Sequence, residues 1–208
     1  MNAPLPREIF KAYDIRGIVG KTLTVEVVRQ IGQALGSLAA ERGQRAIAVG
    51  RDGRLSGPEL AGALMAGIRQ SGIDTIDVGC VPTPVVYFAA HELGCQSCVA
   101  VTGSHNPPDY NGLKMVIAGE TLAGETIQGL RQRIERGELT SGAGQASERD
   151  VASAYLARIT SDVRLARPMK IAIDCGNGVA GGITPSTFRT PGTGVVVVID
   201  ADDSECAK

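Results

Sequence analysis

Several things are scarce in this chain, and each scarcity narrows what it can be. It has no tryptophan, and its only aromatics are three phenylalanines and four tyrosines in 208 residues, so any core must be aliphatic. It has no excess of either charge: Lys plus Arg number 21 against 22 Asp plus Glu, a formal net charge of −1. A chain so balanced presents no electrostatic footprint for nucleic acid or for an anionic membrane surface, and neither is expected as a partner. It also lacks a long apolar run. The longest uncharged one, residues 79–90, is broken by Pro82 and Pro84 and is too short to cross a bilayer. Residues 1–20 carry Arg7, Glu8, Lys11, Asp14 and Arg16 in place of an apolar signal region, so the expected location is the cytoplasm. Five cysteines, an odd and irregularly spaced set, suit a reducing compartment better than a disulfide framework. Cys95-Gln96-Ser97-Cys98 has metal-site spacing, but no second pair exists, and the cysteines read as small hydrophobes in buried strands.

What is present is ordinary globular composition, 43% hydrophobic and 21% charged, with glycine unusually frequent at 27 residues. Apolar spacing predicts a helix over 22–42, with Val27, Ile31, Leu35 and Leu38 on one stripe and Gly43 as its stop. A short strand over 46–49 precedes the polar loop Gly50-Arg51-Asp52-Gly53-Arg54-Leu55-Ser56-Gly57, and Pro58 then sits where a helix N1 proline belongs. Further strands are expected over 74–78, 98–102 and 113–117, and further helices over 84–93 and 123–136. This alternation predicts an α/β domain, a mixed or parallel sheet layered with helices. Residues 139–150 are rich in Ser, Gly, Gln and Ala without periodicity, which places a domain boundary there, so that domain I is 1–150. A helix over 151–163 and strands over 170–174 and 195–199 would begin a second α/β domain within 151–208. So short a segment buries too little to stand comfortably alone, and the chain reads as cut short.

The segment richest in chemistry is Thr102-Gly103-Ser104-His105-Asn106-Pro107-Pro108. It follows a buried strand, so Ser104 is expected at the carboxyl end of a sheet, where α/β proteins bind ligands. Gly103 would allow a tight turn, with Asn106-Pro107 fixing its far side. Such a serine is either a nucleophile or a phosphate carrier. The first reading fails on local grammar, because a nucleophile elbow needs Gly-x-Ser-x-Gly and adjacency makes a Ser104–His105 hydrogen bond awkward. A phosphoserine, with about two negative charges, instead wants cations nearby. Lys11, Arg16, Arg51, Arg54 and Lys114 lie in candidate loops, although spacing alone reads each as a solvated surface charge. No Walker A pattern follows the glycines.

With these residues assembled, the chain resembles the α-D-phosphohexomutase family. Thr102 to Pro107 is similar to its phosphoserine loop, Phe10-Lys11-Ala12-Tyr13-Asp14-Ile15-Arg16-Gly17 to its N-terminal motif, and Gly50 to Gly57 to its second loop. Pro107 to Lys114 and Asp174-Cys175-Gly176-Asn177-Gly178 also match, so the likeness runs from Pro6 to about Gly181. It implies an intramolecular phosphotransferase of the isomerase class that interconverts the 1- and 6-phosphates of mannose or glucose. Ser104 would carry the phosphoryl group, His105 and Lys114 would do acid/base work on the sugar hydroxyl, and Tyr13 and Arg16 would face the substrate. A phosphoryl oxygen on Ser104 would bind Mg²⁺, glucose 1,6-bisphosphate would be the activator, the partner would be a hexose phosphate, and the protein a monomer.

The likeness also has an edge. The 208 residues contain no Asp-Gly-Asp-Gly-Asp-Arg metal loop, and after Gly181 the prolines Pro185 and Pro191 interrupt the helix that the family continues with. Asp200 to Asp203 carry carboxylates with a Mg²⁺-like look and are read as a solvated tail. Two alternatives follow. One is a non-catalytic remnant of such an enzyme. The other is a dinucleotide-binding module over 171–200, since Gly176 to Gly181 satisfies Gly-x-Gly-x-x-Gly after a strand and Asp200 stands where a ribose-binding acid belongs.

Overall fold

A computed structural model describes residues 5–163, 166–167, 169–176, 178–188 and 194–199. Its main body is a mixed sheet with a helical layer on each face. In chain order the elements are β1 (Ile15–Ile18), α1 (Val25–Glu41), β2 (Ala46–Arg51), α2 (Gly57–Gln70), β3 (Asp74–Cys80), α3 (Thr83–Glu92), β4 (Cys98–Val101), β5 (Tyr110–Ile117), β6 (Glu120–Thr121), α4 (Gly124–Arg136) and β7 (Ala146–Glu148). The sheet order is β1-β5-β4-β2-β3-β7, with β6 paired to β5. β2 lies between β3 and β4 and is parallel to both, while β5 runs antiparallel to β4 and to β1. The α/β class expected from sequence is the class observed.

Alternation along the strands divides the core in two. Ile47, Val49, Val99, Val101, Leu113, Met115 and Ile117 face α1, α2 and α4, meeting Leu35, Leu64, Ile68, Leu130 and others. Ala48, Cys98 and Ala100 face the opposite way, toward Val85, Val86 and Ala89 of α3. Each fully buried aliphatic side chain contributes roughly 1.5–3 kcal/mol, so the two aliphatic layers hold the sheet without tryptophan. The helices start and stop where local chemistry requires. The Thr24 hydroxyl accepts the Val27 N–H at 3.3 Å, Pro58 sits in the first turn of α2, and α4 ends at Gly137 with φ of +68°.

Glycine has a second use between helices. Had Gly32 and Gly67 side chains, their Cβ atoms would run into the backbone of Leu64 and Arg29, so α1 and α2 cross with their backbones nearly touching. Gly62 on the same helix α2 has open space around it.

Two strands escape the sequence pattern. β1 alternates over only four residues. β7, Ala146-Ser147-Glu148, carries no apolar signal, and its pairing to β3 is made by the backbone, with Thr75 N–H donating to Gln145 and Arg149 N–H to Asp77, both at 2.9 Å. The Ser- and Gly-rich stretch around it is therefore stitched down. Gly142 and Gly144 N–H groups donate to Gln70 and Arg69, Thr140 N–H donates to the Ser37 hydroxyl, and a Cβ on Gly144 would strike Ile73 O.

Beyond β7 come α5 (Ala152–Asp162), β8 (Lys170–Asp174), a 3₁₀ turn over Val179–Gly182, α6 (Thr184–Phe188) and β9 (Gly194–Ile199). β8 and β9 pair in parallel as a separate two-stranded sheet, and Tyr155 of α5 meets Phe88 of α3 edge to face at 5.4 Å. The glycine turn after β8 opens a four-residue 3₁₀ turn where a dinucleotide site needs a regular helix N-terminus, so this geometry does not build the phosphate cradle of that alternative. Asn177, Asp200 to Asp203 and Cys206 lie outside the described residues.

The cysteines depart from the reading as uniformly buried. Cys98 is buried in β4, but Cys95 and Cys175 are half-exposed, and Cys80 ends β3 beyond the helical layers and is exposed. Burial, with neighbouring Cys95 adding to it, pushes the Cys98 thiol up to about 12.

The glycine crossing yields opposite outcomes for two substitutions in one helix. Ala favours a helix over Gly by about 1 kcal/mol, so Gly62→Ala is expected to stabilise by up to that amount. Gly67→Ala is expected to destabilise by about 1–3 kcal/mol net, because the collision with the Arg29 backbone outweighs propensity. Urea denaturation of the two variants beside the parent chain measures both signs. Cys98 makes a pH prediction. Above about pH 9 the unfolded thiol releases a proton that the folded one retains, so stability falls as pH rises toward 12, by about 1.4 kcal/mol per pH unit from this group. Urea midpoints between about pH 9 and pH 11 should show that slope, and Cys98→Ala should be flatter by this amount.

Candidate active site

β2 and β4 finish side by side, Arg51 in register with Val101, and the chain leaves both at one edge of the sheet. Asp52 N–H donates to Val101 O at 3.0 Å, and Thr102 N–H to Gly112 O at 2.9 Å, so the loops after β2 and β4 start from a common base. The Asp52 carboxylate then ties them. One oxygen accepts the Arg54 N–H at 3.1 Å, and the other accepts the Gly103 N–H at 3.0 Å and lies 3.6 Å from Arg54 Nε.

Arg54 is the largest departure from the sequence reading. Its side chain is only 13% exposed, and its guanidinium is spent on main chain. Nη1 donates to Pro107 O at 2.6 Å and Tyr110 O at 2.9 Å, and Nη2 donates to Asn106 O at 2.6 Å and Ser104 O at 3.1 Å. A solvated surface charge would leave those carbonyls to water, whereas this one closes the loop from beneath. The role of Gly103 changes accordingly. A Cβ there would occupy the space of the Arg54 guanidinium, and the left-handed turn falls instead on Ser104, with φ of +51°. Holding a non-glycine residue in that region costs about 1–3 kcal/mol, which the surrounding bonds must offset.

That turn brings together two side chains that adjacency was expected to keep apart. Ser104 Oγ and His105 Nδ1 are 3.3 Å apart, at the long end of hydrogen-bond range, and both residues are exposed. Ser104 N–H donates to Thr102 Oγ1 at 2.9 Å. Asn106 braces the loop from within, its amide donating to Gly103 O at 2.8 Å while its carbonyl oxygen accepts from Arg16 at 3.4 Å. Arg16 is held from behind by Asp14 at 2.6 Å. Ser104 opens on a cavity of about 490 Å³ lined also by Val19, Leu55, Ser56 and Asp109.

The other residues named from sequence are placed as follows. Lys114 is half-buried on β5 opposite Ala100, on the α3 face of the sheet, with no hydrogen-bond or ion-pair partner among the described residues. Tyr13 is 80% exposed, Lys11 is exposed, and Arg51 lies 3.8 Å from Asp77. The structure therefore joins Ser104, His105, Asn106 and Arg16, while Lys114 and Tyr13 have no bond to that loop. The sequence reading missed Asp52, and also Asn111, which is fully buried, donates to the Ser56 hydroxyl at 2.9 Å and accepts the Gly112 N–H at 2.8 Å. Both stand inside the quoted motifs, which were the available signal. The donor set does not fit a resident Mg²⁺. No group of three or more His, Cys, Asp or Glu side chains among the described residues could hold a metal ion, and Asp52 and Asp14 are both engaged by arginine.

Residues 7–141 match the family model described as phosphoglucomutase/phosphomannomutase, alpha/beta/alpha domain I. The chain is 54% identical over 192 residues to a phosphomannomutase/phosphoglucomutase of Pseudomonas aeruginosa, covering 92% of this chain and 42% of that protein. It is 52% identical over 195 residues to a phosphoglucomutase of Neisseria meningitidis serogroup B, covering 93% and 42%. A crystal structure of a phosphoglucomutase/phosphomannomutase family protein from Burkholderia thailandensis superposes with a TM-score of 0.89 at 49% identity, covering 97% of this chain and 46% of that one. The chain thus spans about two-fifths of the length of the curated relatives it matches.

The Asp52 bridge can be tested without any ligand. Asp52→Asn leaves one oxygen for two backbone donors and turns an amide N–H₂ toward one of them. Hydrogen bonds to charged groups are worth about 1.5–3 kcal/mol, and a loss of about that size is expected in urea denaturation. Amide exchange should localise the damage to Gly103 and Arg54.

Proposed function

This chain belongs to the phosphoglucomutase/phosphomannomutase family, and on that premise we propose that Ser104 carries a phosphoryl group between the 1- and 6-positions of a hexose phosphate. The observation that supports this best is an exposed Ser104 hydroxyl at the carboxyl end of β4, turned outward by a left-handed backbone on a braced loop. Phosphoryl transfer asks little covalent work of a protein and depends mainly on positioning and charge stabilisation. In the forward step the bond from phosphorus to Ser104 Oγ breaks as a bond forms to the sugar hydroxyl oxygen. The hydroxyl proton passes to a nearby base, for which His105 and Lys114 are the candidates. The bisphosphate then turns and returns its other phosphoryl group to Ser104, so no phosphate is gained or lost. Arg16, held by Asp14 and Asn106, offers its positive charge beside the loop, and Tyr13 offers an exposed ring to substrate.

A phosphoryl oxygen on Ser104 would supply one donor to Mg²⁺, and the remaining donors would have to come from outside the described residues. We place the end of the first unit at about residue 150, after β7. The substrate is a mannose or glucose phosphate, with glucose 1,6-bisphosphate as the activating donor. No described helix is long and apolar enough to cross a membrane.

Incubating the chain with glucose 1,6-bisphosphate, followed by peptide mass spectrometry, should find phosphate on Ser104 and none in Ser104→Ala. Phosphate on another residue, or uptake undiminished in that variant, would overturn the assignment. The 208 residues alone are expected to turn over glucose 1-phosphate negligibly in a coupled assay. Good positioning supplies ~7–11 kcal/mol in well-oriented systems. Losing half of it costs roughly two to four powers of ten in rate.

A further inference from the structure

We infer that Arg54 is a positioning residue for phosphoryl transfer, holding Ser104 in its reactive orientation by gathering the loop's carbonyls behind it. This inference rests on the reading of Ser104 as the carrier. All four Nη hydrogens of Arg54 are committed, to the carbonyls of Ser104, Asn106, Pro107 and Tyr110, and Nε faces Asp52. The guanidinium therefore has no donor left for a phosphate, and its influence on the reaction must pass through the loop.

Two consequences follow from that geometry. The first concerns charge. A phosphoserine bears about two negative charges, and carbonyl oxygens turned toward it would repel it. Arg54 binds four of them and sets its own positive charge against their oxygens. The second concerns shape. Ser104 stands at φ of +51°, a conformation that a serine does not favour by itself, and its own carbonyl is one of the four held. Release of that carbonyl lets Ser104 relax toward negative φ, which swings Oγ away from His105. Gly103 completes the arrangement, since only a residue without Cβ leaves room for the guanidinium.

Lysine cannot replace this arrangement, because an ammonium is a point charge with three donors and no planar fork. Arg54→Lys should keep the fold and the charge while loosening the loop. In hydrogen exchange, the amides of Gly103, Asn106 and Tyr110 should lose protection by about tenfold or more, with those of β4 unchanged. The rate of phosphate uptake on Ser104 at saturating glucose 1,6-bisphosphate should fall by about tenfold or more, with half-saturation moving less than about twofold, because Arg54 does not touch the donor. In Arg54→Ala, methylguanidinium should restore part of the uptake and methylammonium none.

Unchanged loop protection in Arg54→Lys, an unchanged uptake rate, or a shift in half-saturation alone would each overturn the inference. If the parent chain takes up no phosphate on Ser104, the carrier reading fails on its own account, and the exchange comparison still decides whether Arg54 orders the loop.

Discussion

Four backbone carbonyls of one loop converge on a single guanidinium, and the candidate site depends on that convergence. A loop between two antiparallel strands normally turns its carbonyls to water. After β4 they turn inward because Arg54, arriving from the end of β2, lies beneath the chain with Asp52 beside it. The clamp works only because β2 and β4 are hydrogen-bonded neighbours ending in register, so a side chain from one loop can reach the main chain of the next. Remove that adjacency and Ser104 would have no reason to stand in a left-handed conformation.

The helices behind the sheet give the clamp its rigidity. α1 and α2 cross with backbones almost in contact at Gly32 and Gly67, and their apolar stripes cover the face from which Val49 and Val101 project. Glycine thus serves opposite purposes in two places. Between the helices it admits backbone, and at Gly103 it admits a charged side chain. The excess of glycine in the composition belongs as much to close approach as to turns.

The site gathers charge unevenly. Arg16 is tethered on both sides, by Asp14 and by Asn106, whereas half-buried Lys114, not bonded to the Ser104 loop, has no side-chain partner among the described residues. A tethered cation can hold an anion in one place, and an unpartnered one is free to meet a charge that arrives. Asp14 and Asp52 are already engaged by arginine, and among the described residues no three acids, histidines or cysteines gather into a metal cage.

Much of this was legible in the sequence, because periodicity and punctuation are local properties. The stripe Val27, Ile31, Leu35 set α1, Pro58 and Gly43 marked helix ends, and the run from Thr102 to Pro107 marked the loop and its serine. What escaped was every feature made by backbone meeting a distant partner. β7 has no apolar pattern because its pairing to β3 is entirely main chain. The stretch around it looked loose because the same small residues that make a flexible linker also allow close packing against Gly72 and Ile73. Arg54 looked like a solvated charge because its role depends on carbonyls some fifty positions away, near it only once β2 and β4 have paired. Sequence by itself determined the α/β class, most of its helices and strands, and the loop that presents Ser104. Tertiary structure alone decided which charges face water and which are consumed in shaping the loop, because a side chain's partner is a property of the folded neighbourhood.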